Sequence, residues 1–112
     1  MDQDRIEQCR TKLIEVARAR STITYGDLAT HLRVANQSVG KYLNPIYENE
    51  IAQRRPDLTV VAVYPKTGMG RYNSRGAAAQ SVVVDPKNPN HVRAYQEELN
   101  RVYECWSNGK AR

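Results

Sequence analysis

The first apolar pattern along the chain is a stripe of residues three and four positions apart. Its members are Ile6, Cys9, Leu13, Val16 and Ala17. This spacing places their side chains on one face of an α-helix, and an aspartate at position 2 or 4 can cap its start. The pattern predicts a first helix from about Asp4 to Arg18, followed by a short β segment that includes Ile23.

Two short helices are predicted next. Thr24, with Asp27 three residues later, is typical of a capped helix start, and this second helix extends to about Leu32. After a connection of three residues, Asn36 is expected to cap a third helix that begins at Gln37. Two short helices joined by so few residues form a helix-turn-helix arrangement.

The third helix contains a proline within its apolar register. The register consists of Val39, Leu43, Ile46, Tyr47 and Ile51. Because Pro45 lacks a backbone donor and crowds the preceding turn, the sequence predicts a kink near Asn44 or two abutting helices.

The second half of the chain begins with β character. Residues 58–64 are rich in β-branched side chains and predict a strand, residues 65–70 a turn, and residues 71–73 a strand that pairs back to form a hairpin. A loop over 74–80 and a further strand over 81–84 follow. A last helix is predicted from a stripe of Val92, Tyr95, Leu99, Val102, Tyr103 and Trp106, with Gly109 ending it.

Together these elements predict an α+β fold. The order is that of a winged helix-turn-helix with a small β hairpin and an added C-terminal helix. Residues 1–112 form one domain, in which 1–20 hold the N-terminal helix, 24–55 the helix-turn-helix, 58–84 the wing and 90–107 the C-terminal helix. A chain of 112 residues has room for one core.

Charge adds a functional expectation to this fold. The formal net charge is +5. The segment between Asp57 and Asp85 contains no acidic residue but three basic ones, Lys66, Arg71 and Arg75. A basic wing favours a polyanionic partner, and duplex DNA is the expected one. No apolar run is long enough to cross a bilayer, and the acidic-polar N-terminus does not resemble a signal peptide. We therefore expect a cytoplasmic protein without membrane contact.

The sequence contains no pattern typical of an enzyme or of a metal site. Cys9 and Cys105 are expected to be thiols, and with His31 and His91 they lack the spacing of zinc ligands. Nucleophile triads, phosphate loops and paired pocket carboxylates are equally absent from the sequence. We expect neither catalytic residues nor a cofactor.

Two stretches carry a resemblance to known proteins. Residues 23–29, Ile-Thr-Tyr-Gly-Asp-Leu-Ala, and 37–43, Gln-Ser-Val-Gly-Lys-Tyr-Leu, resemble the DNA-binding half of the O6-alkylguanine DNA alkyltransferases and alkyltransferase-like proteins. The resemblance implies a recognition helix in the minor groove and a phosphate contact by Tyr25. Gln37 stands where that family has an arginine. The catalytic Pro-Cys-His-Arg is missing, because residues 61–65 read Val-Ala-Val-Tyr-Pro, so alkyl transfer is excluded.

The chain also resembles a set of small, mostly uncharacterised bacterial winged-helix proteins. The similarity lies in residues 24–29, 39–46, 66–68 and 101–106 and covers most of the chain. It implies that Pro45 is a regular feature of such proteins and supplies little about function.

The candidate DNA-binding residues fall into two groups plus one tyrosine. Amide, hydroxyl and ammonium groups on the third helix can contact bases and phosphates, and a basic glycine-rich turn can hold phosphates. An ordinary solvated helix face and a solubilising hairpin tip are the alternatives for these groups. The candidates are Tyr25, Asn36, Gln37, Ser38 and Lys41, with Lys66, Thr67, Arg71 and Arg75 in the wing.

Two classes of function stay open at this point. The first is a non-enzymatic DNA-binding protein, regulatory or recognising modified or damaged DNA. The second is a winged helix that contacts protein, as an accessory or inhibitor of a DNA-acting defence or restriction system. A homodimer through the C-terminal helix is a further possible assembly.

Overall fold

A computed structural model describes residues 2–73 and 81–107 and has mixed, helix-rich α+β architecture. The predicted loop over 74–80, with Arg75, and the predicted stop at Gly109 lie outside the described residues. The helices and strands are α1 (Asp2–Arg18), β1 (Ile23–Thr24), α2 (Tyr25–Leu32), α3 (Val39–Ala52), β2 (Ala62–Val63), β3 (Arg71–Asn73), β4 (Ser81–Val83) and α4 (Pro89–Ser107).

The first two helices confirm the sequence interpretation. The Thr24 side chain accepts a hydrogen bond from the backbone N–H of Asp27 at 3.1 Å, which is the predicted cap of α2. At the other end of α2, Arg33 adopts a left-handed conformation with φ of 60° and donates its backbone N–H to the last turn. These two caps fix the length of α2 at eight residues.

The third helix differs from its prediction in two respects. A 3-10 turn, Asn36–Ser38, precedes α3, and no side chain caps either of them, so the prediction that Asn36 caps the helix is wrong. The helix also continues through Pro45 as a single element, so the alternative of two abutting helices is wrong, while the kink near Asn44 stays a prediction. Continuity is possible because a proline removes only one hydrogen bond, while Val39, Leu43 and Ile46 stay buried on one side.

The strand prediction over residues 58–64 is wrong for its first half. Residues Leu58–Val61 form a 3-10 turn, which the Asp57 side chain caps by accepting from the N–H of Thr59 at 3.0 Å. Only β2 is extended, and it pairs in parallel with β1 rather than with residues 71–73. The 3-10 turn buries Leu58, Val60 and Val61. A turn rather than a strand lets these side chains pack against α1, α3 and α4 on different sides.

The β hairpin is formed by other segments than those predicted. β3 pairs antiparallel with β4, with Arg71 opposite Val83. Residues 64–69 form a separate closed loop, in which Tyr64 N–H donates to the Met69 carbonyl at 3.0 Å and Gly68 takes a φ of 68°. The specific winged-helix assignment stays a prediction, while the α+β class is observed.

The buried side chains of α1, α2, α3 and α4 join the residues around β2 in one core. In α4 the apolar stripe is used within the same chain, since Tyr95, Val102 and Trp106 are buried and the Tyr95 hydroxyl donates to the Val60 carbonyl. Residues pointing away from the core on α4 are polar, including Gln96 and Asn100. The stripe that suggested a homodimer is therefore occupied by the chain's own core.

A buried ion cluster joins three of the helices. The Glu50 carboxylate on α3 is fully buried and accepts two hydrogen bonds from Arg55, at 3.0 and 2.9 Å. Arg10 on α1 lies 3.4 Å from the same carboxylate. Both guanidinium groups lie over the ring of Trp106 on α4, at 5.5 and 5.8 Å from its centroid. The cluster therefore fixes α3 relative to α1 and α4.

Within the part of the chain that the structure describes, no helix combines the length and apolar character needed to cross a membrane.

Candidate nucleic-acid interface

A groove of about 840 Å³ opens where α2 and α3 begin and β2 ends. It is the place where segments distant in sequence meet: the start of α2, the turn before α3, one side of α3, the end of β2 and the start of β3. Its walls consist of Thr24, Tyr25, Gly26, Asn36, Gln37, Val39, Gly40, Leu43, Asn44, Tyr47, Thr59, Tyr64, Pro65 and Arg71.

Tyr25 is the first residue of α2 and contributes an aromatic wall. Its ring centroid lies 4.7 Å from that of Tyr64, with 50° between the ring planes, a tilted pair of the kind aromatic rings favour. Burial, reinforced by the adjacent Tyr64, raises the pKa of the Tyr25 hydroxyl well above its usual value, although nearby Arg71 opposes the shift. The hydroxyl is therefore neutral at physiological pH, and it is hydrogen-bonded with the Tyr64 side chain.

Asn36 and Gln37 form the amide-bearing wall. Both are exposed and lie on the 3-10 turn before α3, where neither is used as a cap. Ser38, the third residue of this turn, is half-buried and does not line the groove. Asn44, one helical turn beyond Gly40, adds a third amide on the α3 side.

Gly40 leaves the α3 side of the groove open. It is exposed, and a β-carbon built on it would meet no atom within 4 Å. Its φ is not positive, so the backbone does not require glycine there. A glycine within a helix can permit close approach of a neighbouring helix or of a bound partner. The open space at Gly40 excludes the first of these reasons.

The predicted cationic residues are only partly brought together. Arg71 lines the groove together with Gln37, whereas Lys41 and Lys66 do not. The Lys41 ammonium lies over the ring of its neighbour Tyr42 at 5.4 Å, and Lys66 is exposed in the 64–69 loop. Of the candidates Gln37, Lys41, Lys66 and Arg71, the groove lining therefore brings together Gln37 and Arg71.

Thr67, another wing candidate, does not line the groove. The Thr67 hydroxyl donates to the Met69 carbonyl at 3.1 Å and accepts from the Met69 N–H at 3.2 Å. These bonds hold the loop closed, so Thr67 has a local structural role. Arg75 lies outside the described residues.

Several groove residues were not identified as candidates from the sequence, among them Asn44, Tyr47, Thr59 and Tyr64. For Tyr47 a signal existed, because Gly40, Asn44 and Tyr47 are four and three positions apart and share one side of α3. Tyr64 and Thr59 reach the groove only through the parallel pairing of β1 with β2, which no local pattern encodes.

The described residues contain no group of three or more His, Cys, Asp or Glu side chains placed to hold a metal ion. Both cysteines are free, and burial raises the pKa of the Cys9 thiol to about 12. Cys9 is therefore a protonated, unreactive core residue at neutral pH.

Comparison with known proteins found no matching family model, no matching curated protein and no matching solved structure.

Proposed function

We propose that this chain is a non-enzymatic DNA-binding protein that places the groove face against duplex DNA, in the manner of a winged helix. The observation that carries the proposal is the meeting of Tyr25, Gln37 and Arg71, from three separate segments, at one groove. Contacts to DNA use these side-chain types: amides and guanidinium groups bond base edges and phosphates, and tyrosines bond phosphates.

The composition of the groove supports recognition of DNA bases as well as binding to the DNA backbone. Three amide side chains and three tyrosine rings surround it. Aromatic faces stack on an unstacked base, and amides recognise base edges by hydrogen bonding. This combination suits recognition of modified or damaged DNA, because a damaged base costs less free energy to unstack than a normal base does.

The glycine at the start of α3 supports close contact with a partner. A glycine inside a helix costs about 1 kcal/mol relative to alanine, and no internal crowding at Gly40 offsets that cost. Gly26 also lines the groove, and a β-carbon there would make only ordinary contacts, at 3.8 Å or more. A nucleic-acid backbone passing close to both positions accounts for the two glycines.

Electrostatics support a polyanion in the same place. Among the described residues that line the groove, Arg71 is the one with an ionised side chain, and none is acidic. Lys41 and Lys66 each follow a lining residue, Gly40 and Pro65, and both are exposed. Their long side chains can reach phosphates of a duplex that lies across the groove.

The groove residues favour binding over catalysis. The described lining contains no histidine, cysteine or carboxylate to act as nucleophile or general base. Tyr25 would be the nearest substitute, but its raised pKa opposes formation of the phenolate.

The test is fluorescence anisotropy with a labelled random-sequence duplex over a range of salt concentrations. We expect binding that weakens steeply with salt, and we expect Arg71→Ala to reduce the slope of log K against log salt by about 0.9. Lys87→Ala is the matched control, since Lys87 is exposed between β4 and α4, away from the groove lining. Absence of binding by the wild-type protein at low salt would refute the proposal.

A protein-contact role is the second candidate. Ile51, one helical turn beyond Tyr47 on α3, is 47% exposed, and it extends an apolar surface beyond the groove. An exposed aliphatic side chain of this kind favours a protein partner over DNA. Loss of partner capture from Ile51→Glu, with no duplex binding by the wild type, would select this alternative.

A further inference from the structure

A second, smaller cleft lies at the opposite end of α2 from the groove. Its volume is about 610 Å³, and it separates the start of α1 from the end of α2. The cleft is lined by Asp4, Arg5, Gln8, His31, Leu32 and Arg33. With two guanidinium groups, one imidazole and one carboxylate, its lining is net positive.

Arg5 is held in position rather than free to move in solvent. Its Nε donates to the Leu32 carbonyl at 3.3 Å, which ties α1 to the last turn of α2. The two terminal amino groups of its guanidinium make no further hydrogen bond with the described residues. A guanidinium fixed through Nε and open at both amino groups matches the forked geometry of a phosphate.

Arg33 presents a second cation at the same cleft. Its side chain is exposed, and its backbone holds the left-handed conformation that ends α2. Glycine is the ordinary residue for such a position, because a β-carbon is strained there. His31, also exposed, stands two residues before it and adds an imidazole to the lining.

The two sites lie close enough together for a single bound duplex to contact both. Eight residues of α2 at 1.5 Å each place the cleft about 12 Å from the groove along the helix. Duplex DNA carries one phosphate charge per about 1.7 Å of its axis. A duplex in contact with the groove therefore presents several phosphates within reach of the far end of α2.

We propose that Arg5, His31 and Arg33 form a second contact for the phosphodiester backbone, which holds the duplex against both ends of α2. This inference rests on the proposed function, because the DNA must lie against the groove for the cleft to meet it. The site recognises phosphate and carries no base preference of its own. The Asp4 carboxylate in the same lining limits it to a contact that supplements the groove.

The test uses Arg33→Gly, which removes the cation and keeps a residue suited to a left-handed backbone. We expect a three- to tenfold loss of affinity for a 20-base-pair duplex at low salt and a decrease of about 0.9 in the salt slope. The thermal unfolding midpoint should not fall. Arg54→Gly is the matched control, because Arg54 follows α3, has a φ of 59° and is exposed. It makes the same change of backbone and charge away from the cleft, and we expect it to leave the affinity for duplex unchanged.

Each outcome has a defined meaning. Wild-type protein that does not bind duplex would refute the proposed function itself. Wild-type binding with equal affinities for Arg33→Gly and Arg54→Gly would overturn the second contact alone. A loss of affinity without a change in salt slope would also overturn it, since the contact would not be a phosphate neutralisation. Poly-glutamate that binds the cleft more tightly than duplex at equal charge would assign the cleft to an acidic protein instead.

Discussion

At the scale of single residues, two glycines occupy opposite steric situations. A β-carbon on Gly70 would lie 2.1 Å from the Ala62 carbonyl oxygen, so the close approach of the backbone before β3 to β2 requires glycine there. Gly40 has open space around it and no positive φ. The fold explains the first glycine, whereas for the second we propose the close approach of bound DNA.

Replacing Gly40 with alanine should separate stability from binding. We expect Gly40→Ala to raise the free energy of unfolding by up to about 1 kcal/mol, because alanine favours the helix. Affinity for duplex DNA should fall at least threefold, because the added methyl group faces the bound backbone. Urea unfolding and anisotropy on the same preparations measure both quantities. A stabilised variant with unchanged affinity would show that the DNA backbone does not approach Gly40 closely.

At the scale of elements, the position of α3 depends on its buried glutamate. Glu50 holds one helix against two others through Arg55, Arg10 and Trp106. A buried carboxylate paired with arginine is costly to disrupt, because the arginine charge is left without its partner. The groove depends on this cluster indirectly, since α3 supplies one of its walls.

Glu50→Gln should therefore destabilise the protein strongly. We expect the free energy of unfolding to fall by about 3 kcal/mol or more, as for other broken buried ion pairs. Glu15→Gln is the control, because Glu15 pairs with Lys12 at 3.2 Å on an exposed face and should change stability by less than about 0.5 kcal/mol. Equal effects of the two substitutions in urea unfolding would contradict the structural role of the cluster.

The positions of three helices and of β1, β3 and β4 were predictable from sequence, whereas the structure of residues 58–61 and the pairing of the strands were not. The α-helical periodicity and the Thr24 cap are local signals, and α1, α2 and α4 begin and end within two residues of their predicted limits. The β-branched residues 58–64 gave an equally local signal, but burial on several sides favours a 3-10 turn in the first half of that run. A pairing between β1 and β2, nearly forty residues apart, has no local signature.

The same reasoning explains which site residues could be predicted. Asn36 and Gln37 could be named from the helix-turn-helix pattern, Tyr25 from the resemblance to the alkyltransferases, and Arg71 from the charge distribution. Thr59 and Tyr64 join the groove only through tertiary contact. Sequence alone therefore identified the part of the site around the starts of α2 and α3 and missed the residues on either side of β2.

At the scale of the whole molecule, the buried ionisable groups predict alkaline sensitivity. Burial raises the pKa of Cys9 from 9.0 to about 12 and raises the pKa values of Tyr25 and Tyr95 above their usual range. A group whose pKa is raised by folding contributes its full stability below its unfolded pKa and loses it as pH rises toward the folded value. The protein should therefore lose stability above about pH 9.

The cysteine contribution can be isolated. Between pH 9 and pH 10 the ionisation of unfolded Cys9 should lower the free energy of unfolding by about 1 kcal/mol. The variant Cys9→Ala should lose about 1 kcal/mol less than the wild type over this interval, because the buried tyrosines contribute equally to the decrease in both proteins. Parallel decreases in the two proteins across that interval would show that another group is responsible.

The central claim is that DNA lies on the face formed by the groove, and amide NMR spectra recorded during titration with an unlabelled duplex test it most directly. The account predicts that the largest chemical-shift changes occur at Tyr25, Gly26, Gln37, Gly40 and Arg71. Residues on the outer side of α4, such as Gln96 and Asn100, should be unaffected. Changes confined to the outer side of α4, or no changes at low salt with duplex in excess, would contradict the account.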